Sequence, residues 1–306
     1  MAYVDEEIAS QPECWLRAAA YAKELTDALP QPGERVAVTG CGTSWFMAMA
    51  YAQLREAAGQ GETDAFAGSE FPVGRTYDRV IAITRSGTTS EILDLIPKLS
   101  APVTVIIGDP DSPVVALATH VIAMPWADEK SVVQTRFATS ALALLRSGLG
   151  ENLSAASADA EAAVRCPLPL DPAKIEQITF LGRGWTVGLA HEAALKCREA
   201  ATFWTEAYPA MDFRHGPIAI AAPGRAVWAF GDLPAGLADD VEATGASFVH
   251  SRYNCEGHPA LDPMADLIMA QRFAVALALH RGLDPDAPRN LTRSVILPAA
   301  KGMLDR

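Results

Sequence analysis

Basic residues are scarce in this chain: 25 Lys and Arg stand against 37 Asp and Glu, a formal net charge of −12 over 306 residues. So acidic a chain repels nucleic acid and anionic membrane surfaces. Neither is expected as a partner, and any bound phosphate must be held by local donors. Cysteine is sparse as well. Cys14, Cys41, Cys166, Cys197 and Cys255 are odd in number and never fall at CxxC spacing, which predicts free thiols in a reducing compartment. No long apolar run is present, and Asp5, Glu6 and Glu7 stand where a secretory signal would be basic. The cytoplasm is therefore the expected location. Low-complexity tracts are missing too, and Gly and Pro are dispersed, so long disorder is not expected.

What is present is a strand-then-helix rhythm, in a length that suggests about two domains of roughly 150 residues. Apolar and small residues at helical spacing predict a helix over 13–29, ending before Pro30. Strands are predicted at 35–39, 64–67, 79–84, 103–107 and 120–124, with helices from the Gly-rich turn to Ala58, over 90–99 and over 132–147. Short strands alternating with helices argue for βαβ units, hence an α/β fold with a parallel sheet covered on both faces. An Ala-rich helix over 151–164 leads to Pro167-Leu-Pro-Leu-Asp-Pro172, which reads as a linker. The pattern then restarts. The order strand, Gly-x-Gly, helix in Ala37-Val-Thr-Gly-Cys-Gly-Thr43 recurs in Thr179-Phe-Leu-Gly-Arg-Gly-Trp185. This weak internal repeat predicts two related halves, 1–168 and 169–306. Strands at 226–230 and 246–249 and a helix over 263–280 complete the second.

Two loops carry the chemistry. Gly40-Cys-Gly-Thr-Ser44 ends a strand and opens a helix. Glycine lets backbone approach a ligand, and helix-start N–H groups with the positive dipole end favour an anion. The third glycine of the dinucleotide fingerprint and the Gly-Lys-Ser/Thr of a Walker loop are both missing. In their place are the hydroxyls of Thr43 and Ser44. Thr84-Arg-Ser-Gly-Thr-Thr-Ser-Glu91 repeats the arrangement, with hydroxyls at 84, 86, 88, 89 and 90 around one glycine. Alone it could be an ordinary capped helix start. Two such loops at strand carboxyl ends of one open sheet point to a shared anion site, because ligands of these folds lie in the crevice beyond those ends. A phosphate held mainly by neutral donors, with charge from Arg85, is the coherent picture.

These loops resemble the phosphosugar loops of the sugar isomerase (SIS) family. Most of the chain from about residue 35 is similar to the isomerase portion of glucosamine-6-phosphate synthase. The matching stretches are Ser69-Glu-Phe71, Glu192-Ala-Ala-Leu-Lys-Cys-Arg-Glu199, Glu206-Ala-Tyr-Pro-Ala210, Arg214-His-Gly-Pro217 and Pro288-Arg-Asn-Leu-Thr-Arg-Ser-Val295. Five matches in one order are specific. The resemblance implies a tandem pair of SIS domains, each a three-layer α/β/α unit with a five-stranded parallel sheet, and a site at a homodimer interface. It places the sugar phosphate on Ser44, Thr84, Arg85, Ser86 and Thr89, and Gly42 and Thr43 of the first loop are expected substrate contacts beside them. It puts Lys196 and Glu199 in the catalytic centre, and brings His215 from the neighbouring subunit to open the sugar ring. Val132 and Thr292 align with positions that contact the sugar through their backbones.

Without the family, Lys196 and Glu199 are an i,i+3 pair on one helix face, with Glu192 four residues before the lysine. On an arbitrary surface helix such a group is a solvated charge pair. Here the helix is Ala-rich and expected to be buried between the halves. A buried carboxyl can have a raised pKa, which suits proton shuttling between C1 and C2 of an open sugar. Glu199 is the expected base. His215 sits in an irregular, Gly-Pro-bounded stretch that no packing pattern explains, and a neutral imidazole suits ring opening. His250, Cys255 and His258 lack carboxylates or CxxC support as a metal cluster. No metal and no cofactor is expected.

The chain departs from the family at Arg293, where the synthase carries a lysine that forms a Schiff base with the ketose. A guanidinium stays protonated and cannot be that nucleophile, though it could bind a substrate anion. Residue 2 is Ala rather than the glutaminase Cys nucleophile, so glutamine-fed amidotransfer is not expected of this chain alone. The expected function is an enzyme acting on a ketose or amino sugar 6-phosphate, by isomerisation through an enediol with or without amine loss. The alternative is a non-catalytic phosphosugar sensor. A nucleotide-binding role has no ribose or base signature behind it.

Overall fold

Val, Ile and Ala fill the short runs that make the first sheet, buried on both faces as the interior strands of a parallel sheet must be. The computed structural model of the chain describes residues 2–250 and 260–298. Two short helices, α1 (Tyr3–Ala9) and α2 (Gln11–Ala22), precede β1 (Val36–Gly40), α3 (Thr43–Ala57), β2 (Thr63–Ala67), β3 (Arg79–Thr84), α4 (Ser90–Leu95), β4 (Val103–Ile107) and β5 (His120–Ala123). These five strands pair in parallel in the order β2-β1-β3-β4-β5. After α5 (Arg136–Gly148) and α6 (Ser154–Arg165) come β6 (Gln177–Gly182), α7 (Thr186–Ala201), β7 (Thr205–Pro209), β8 (Arg225–Ala229), α8 (Leu237–Glu242), β9 (Ser247–His250) and α9 (Pro263–His280). Their strands form a second parallel sheet, β7-β6-β8-β9.

The second sheet thus repeats the order of the first through its first four strands. Among the described residues it has four strands, not the five that the resemblance implied. The repeat reaches the turns: Gly42 and Gly184, each following its half's first strand, have φ of +56° and +55°, the left-handed region that glycine enters at no cost.

Alternation along the strands sorts the core. Ile81 and Ile83 face one cluster, Val80 and Ala82 another. The larger cluster also takes Phe180, Trp228 and Phe230 from the second sheet, together with α2, α3, α5, α6, α7 and α9. The two sheets therefore share one inner layer of helices, and thinner clusters under α4 and α8 cover their outer faces. Among the described residues no helix is long and apolar enough to cross a membrane.

Local departures from the sequence reading have identifiable causes. The first helix pair breaks at Ser10 and α2 ends at Ala22, where a helix over 13–29 was expected. The helix expected from residue 132 begins at Arg136, because the backbone of 130–132 bonds elsewhere. Its N-terminus is capped instead by the carboxylate of Glu129, whose Oε1 accepts from Thr135 N at 2.5 Å and Arg136 N at 2.8 Å. Cys14, Cys41 and Cys197 are free thiols. Cys166 is disulfide-bonded, which corrects the expectation of a free thiol there, since spacing reports only local pairs. Cys255 and His258 lie outside the described residues.

Candidate active site

In the order β2-β1-β3-β4-β5 the chain leaves β1 and β3 in opposite directions, and the carboxyl ends of those neighbouring strands open a crevice. Both predicted loops end there. A cavity of about 170 Å³ is lined by Gly42, Thr43, Arg85, Thr89, Val132, Glu199, Thr292 and Arg293, eight of the expected site residues. Ser44, Thr84, Ser86 and Lys196 are buried and do not line it. Cys41, Gln134, Leu291, Ser294 and Val295 also line the cavity and were not foreseen as site residues.

The two halves meet at this cavity through Lys196. Its Nζ, on α7, donates to Thr43 Oγ1 on α3 at 3.1 Å and to Glu199 Oε2 at 2.6 Å. Glu192 Oε1 lies 3.3 Å away, an ion pair without hydrogen-bond alignment. Burial opposes the charge of Lys196, but Glu192 and Glu199 more than offset it and hold the ammonium above its ordinary range. Burial pushes Glu192 up to about 7, against the pull of Lys196. Glu192 thus lies sealed about two turns before Glu199 on this helix, while Glu199 keeps 20% of its side chain exposed and lines the cavity. At the equivalent turn of the second half, Thr186 Oγ1 accepts from Arg183 N at 2.8 Å and donates to Phe230 O at 3.0 Å, and the turn borders a separate cavity of about 400 Å³ that none of the expected site residues line.

The phosphate-loop hydroxyls form a chain that ends on the C-terminal tail. Thr84 Oγ1 accepts from Gly87 N at 3.3 Å, Ser86 Oγ accepts from Thr88 N at 3.3 Å, and Thr88 Oγ1 lies 2.8 Å from Ser294 Oγ. Ser90 N donates to Val295 O at 3.1 Å, and Ser90 Oγ accepts from Leu297 N at 2.9 Å. The tail therefore lies across the start of α4.

Neither arginine presents a free charge. Arg85, 2% exposed, donates to the carbonyls of Ser131, Val132 and Arg293 at 2.9, 3.1 and 3.2 Å, and its Nη1 is 3.7 Å from Glu129 Oε2. Arg293 grips the Asp128 carboxylate with Nη2 at 2.6 and 2.7 Å and donates from Nη1 to Glu129 O. With its donors so engaged, Arg293 anchors the tail to the first half and is not poised to bind a substrate anion. His215, exposed at the end of the short turn Asp212–His215, does not line the cavity of its own chain.

No protein-family model matches the chain. The glutamine–fructose-6-phosphate aminotransferase [isomerizing] of Caulobacter vibrioides is 26% identical over 96% of this chain and 58% of its own length. That of Aeropyrum pernix is 38% identical over 38% of this chain and 22% of its own. Glucosamine-6-phosphate deaminase from Thermotoga maritima superposes with a TM-score of 0.78 at 22% identity, covering 97% of this chain and 100% of that one. Sequence and fold both resemble the SIS phosphosugar proteins. Tagatose-6-phosphate ketose/aldose isomerase from Escherichia coli adds a TM-score of 0.78 at 18% identity, with 97% of each chain covered; at that identity the likeness is one of fold. The chain spans about half the length of the aminotransferases it matches. The similarity begins well before residue 35, since 96% of the chain takes part.

Proposed function

We propose that this chain is an enzyme acting on the open form of a ketose or amino sugar 6-phosphate, by aldose–ketose isomerisation through an enediol. Where the sugar carries an amine, water takes its place as the amine leaves. One observation carries the reading: Glu199, hydrogen-bonded to a fully buried lysine, lines the same cavity as both phosphate-type turns. In this reading the turns seat the phosphate on Gly42, Thr43, Arg85 and Thr89, which line the cavity, with Ser44, Thr84 and Ser86 buried behind them in the same turns. Glu199 removes the proton from the carbon beside the carbonyl and returns it to its neighbour, and Lys196 fixes the carboxylate for both transfers.

His215 belongs to the same proposal as the ring-opening group of a second copy. Its exposure supports this, as do the exposed Val295, Ile296 and Leu297 on the tail, an apolar strip for that copy to cover. Glutamine-dependent amidotransfer is not part of the proposal, because Arg293 replaces the nucleophilic lysine and is held on Asp128.

The test is a coupled assay of the purified chain on fructose 6-phosphate, glucosamine 6-phosphate and fructosamino-acid 6-phosphates. At least one is expected to turn over. Glu199→Gln is expected to lower kcat by about 100-fold or more while thermal-shift binding survives. A second reading, a non-catalytic phosphosugar sensor, is favoured by the engaged Arg293. Binding without turnover would support it, and a chain that neither binds nor turns over these sugars sinks both.

A further inference from the structure

Residues 130–132 belong to no helix or strand, yet their backbone is bound on every side by distant parts of the chain. Glu7 Oε1, on α1, accepts from Lys130 N at 2.6 Å and from Ser131 N at 3.3 Å. Asp286 O accepts from Val132 N at 3.1 Å. The carbonyls of Ser131 and Val132 are those held by Arg85. The Asp286 carboxylate in turn caps α1, accepting from Tyr3 N at 2.6 Å and Val4 N at 2.8 Å. Val132, at the end of this stretch, and Gln134, two residues on, face the candidate cavity.

Glu7 is only 3% exposed, and its Oε2 has no partner. Such a carboxylate weakens the fold unless its bonds are needed, since burying a charge with an unsatisfied oxygen is unfavourable. Packing alone would be served better by an apolar side chain. What the carboxylate supplies is a single oxygen shared by two successive N–H groups, in a segment with no ladder or helix of its own to satisfy them.

We propose that Glu7 is a positioning residue, which from α1 fixes the floor of the phosphosugar cavity at Val132 and Gln134 without touching the ligand. The inference rests on reading that cavity as a phosphosugar site. It separates two ends of the ligand. The phosphate is read by the turns at 42–44 and 84–89, which Glu7 does not contact, whereas the sugar lies against the floor that Glu7 holds.

The experiment compares the full chain with Glu7→Met, which fills similar space without an acceptor, and with Glu7→Gln, whose amide oxygen can restore both bonds. Hydrogen exchange of the peptide covering 128–135 and calorimetric binding of glucosamine 6-phosphate, fructose 6-phosphate and inorganic phosphate are measured for each. Glu7→Met is expected to speed exchange of that peptide about tenfold or more with β1 and β3 unchanged. It should weaken sugar-phosphate binding by about tenfold or more, a displacement effect, with inorganic phosphate altered less than about twofold. Glu7→Gln should recover most of both. Unchanged exchange, or faster exchange with sugar affinity intact, overturns the inference while leaving the functional reading standing. So does equal loss of sugar phosphate and inorganic phosphate. A wild-type chain that binds no sugar phosphate sinks the functional reading and this inference together. Should Glu7→Met fail to fold, exchange in the wild type decides: amides 130 and 131 must be protected, and exchange at the rate of an open loop overturns the inference.

Discussion

Lys196 stands between two carboxylates, and that placement assigns them different work. Glu192 is sealed in and pushed up to about 7 by burial. Glu199 reaches the cavity. The lysine joins both to Thr43, so three charged groups and a hydroxyl form one unit that must be held as a whole. A second buried acid lies away from the site. Asp266, on α9, is fully buried and pushed up to about 7 by burial, with Trp228 Nε1 donating at 3.3 Å as its partner. Its folded pKa stands above its ordinary value of 3.8. Its contribution to stability is therefore fully present below about pH 4 and is lost as pH rises through 7. Asp266→Asn, a mimic of the protonated acid, is expected to be more stable than wild type at pH 8, by up to about 4 kcal/mol. The gap should close toward pH 5. Urea unfolding at the two pH values measures it, and equal differences at both would refute the assignment.

At the scale of elements, the two halves are joined where α3 packs on α7 and where α6 packs on α9, and the first of these contacts depends on a glycine. Gly188 permits it: a Cβ there would stand 2.4 Å from Phe46 O and 3.0 Å from Ala50 N, both backbone atoms that cannot swing aside. Gly188→Ala should gain helix propensity and still lose stability, by about 1–3 kcal/mol, read as a lower urea midpoint. A higher midpoint would show that the helices can part at little expense. Strands were the most legible elements. The runs at 79–84 and 103–107 match β3 and β4 residue for residue, because burial on both faces demands uninterrupted β-branched residues. Elements held by distant partners were not legible. The capped α1, the late start of α5 and the edge strand β7 depend on Asp286, on the hold of Glu7 and Asp286 over residues 130–132, and on pairing with β6, none of them local in sequence.

For the whole molecule, the decisive expectation is that a complete site needs two copies of the chain. Glu199→Gln and His215→Asn should each be nearly inactive alone. Dissociated and mixed in equal amounts, they should regain about one quarter of wild-type activity, since half of randomly paired dimers are mixed and each mixed dimer holds one intact site. Activity that stays at the level of the parents would remove His215 from the partner's site. The acidic surface is legible at this scale, since net charge is additive. The tail is not. The resemblance placed Thr292 and Arg293 at the site, but only the folded chain puts Arg293 on Asp128 and Ser294 beside Thr88.

By itself the sequence determined the α/β rhythm, the repeated Gly-x-Gly turn and the hydroxyl-rich loops at two strand ends. These are properties of neighbouring residues, set by steric preference and hydrophobic period. The tertiary structure decided which carboxyl is sealed and which faces the cavity, and that both arginines are engaged. It also decided that Glu7, on α1, holds the backbone of residues 130 and 131. Desolvation and hydrogen-bond partnership belong to groups brought together from far along the chain, so no local pattern could have reported them.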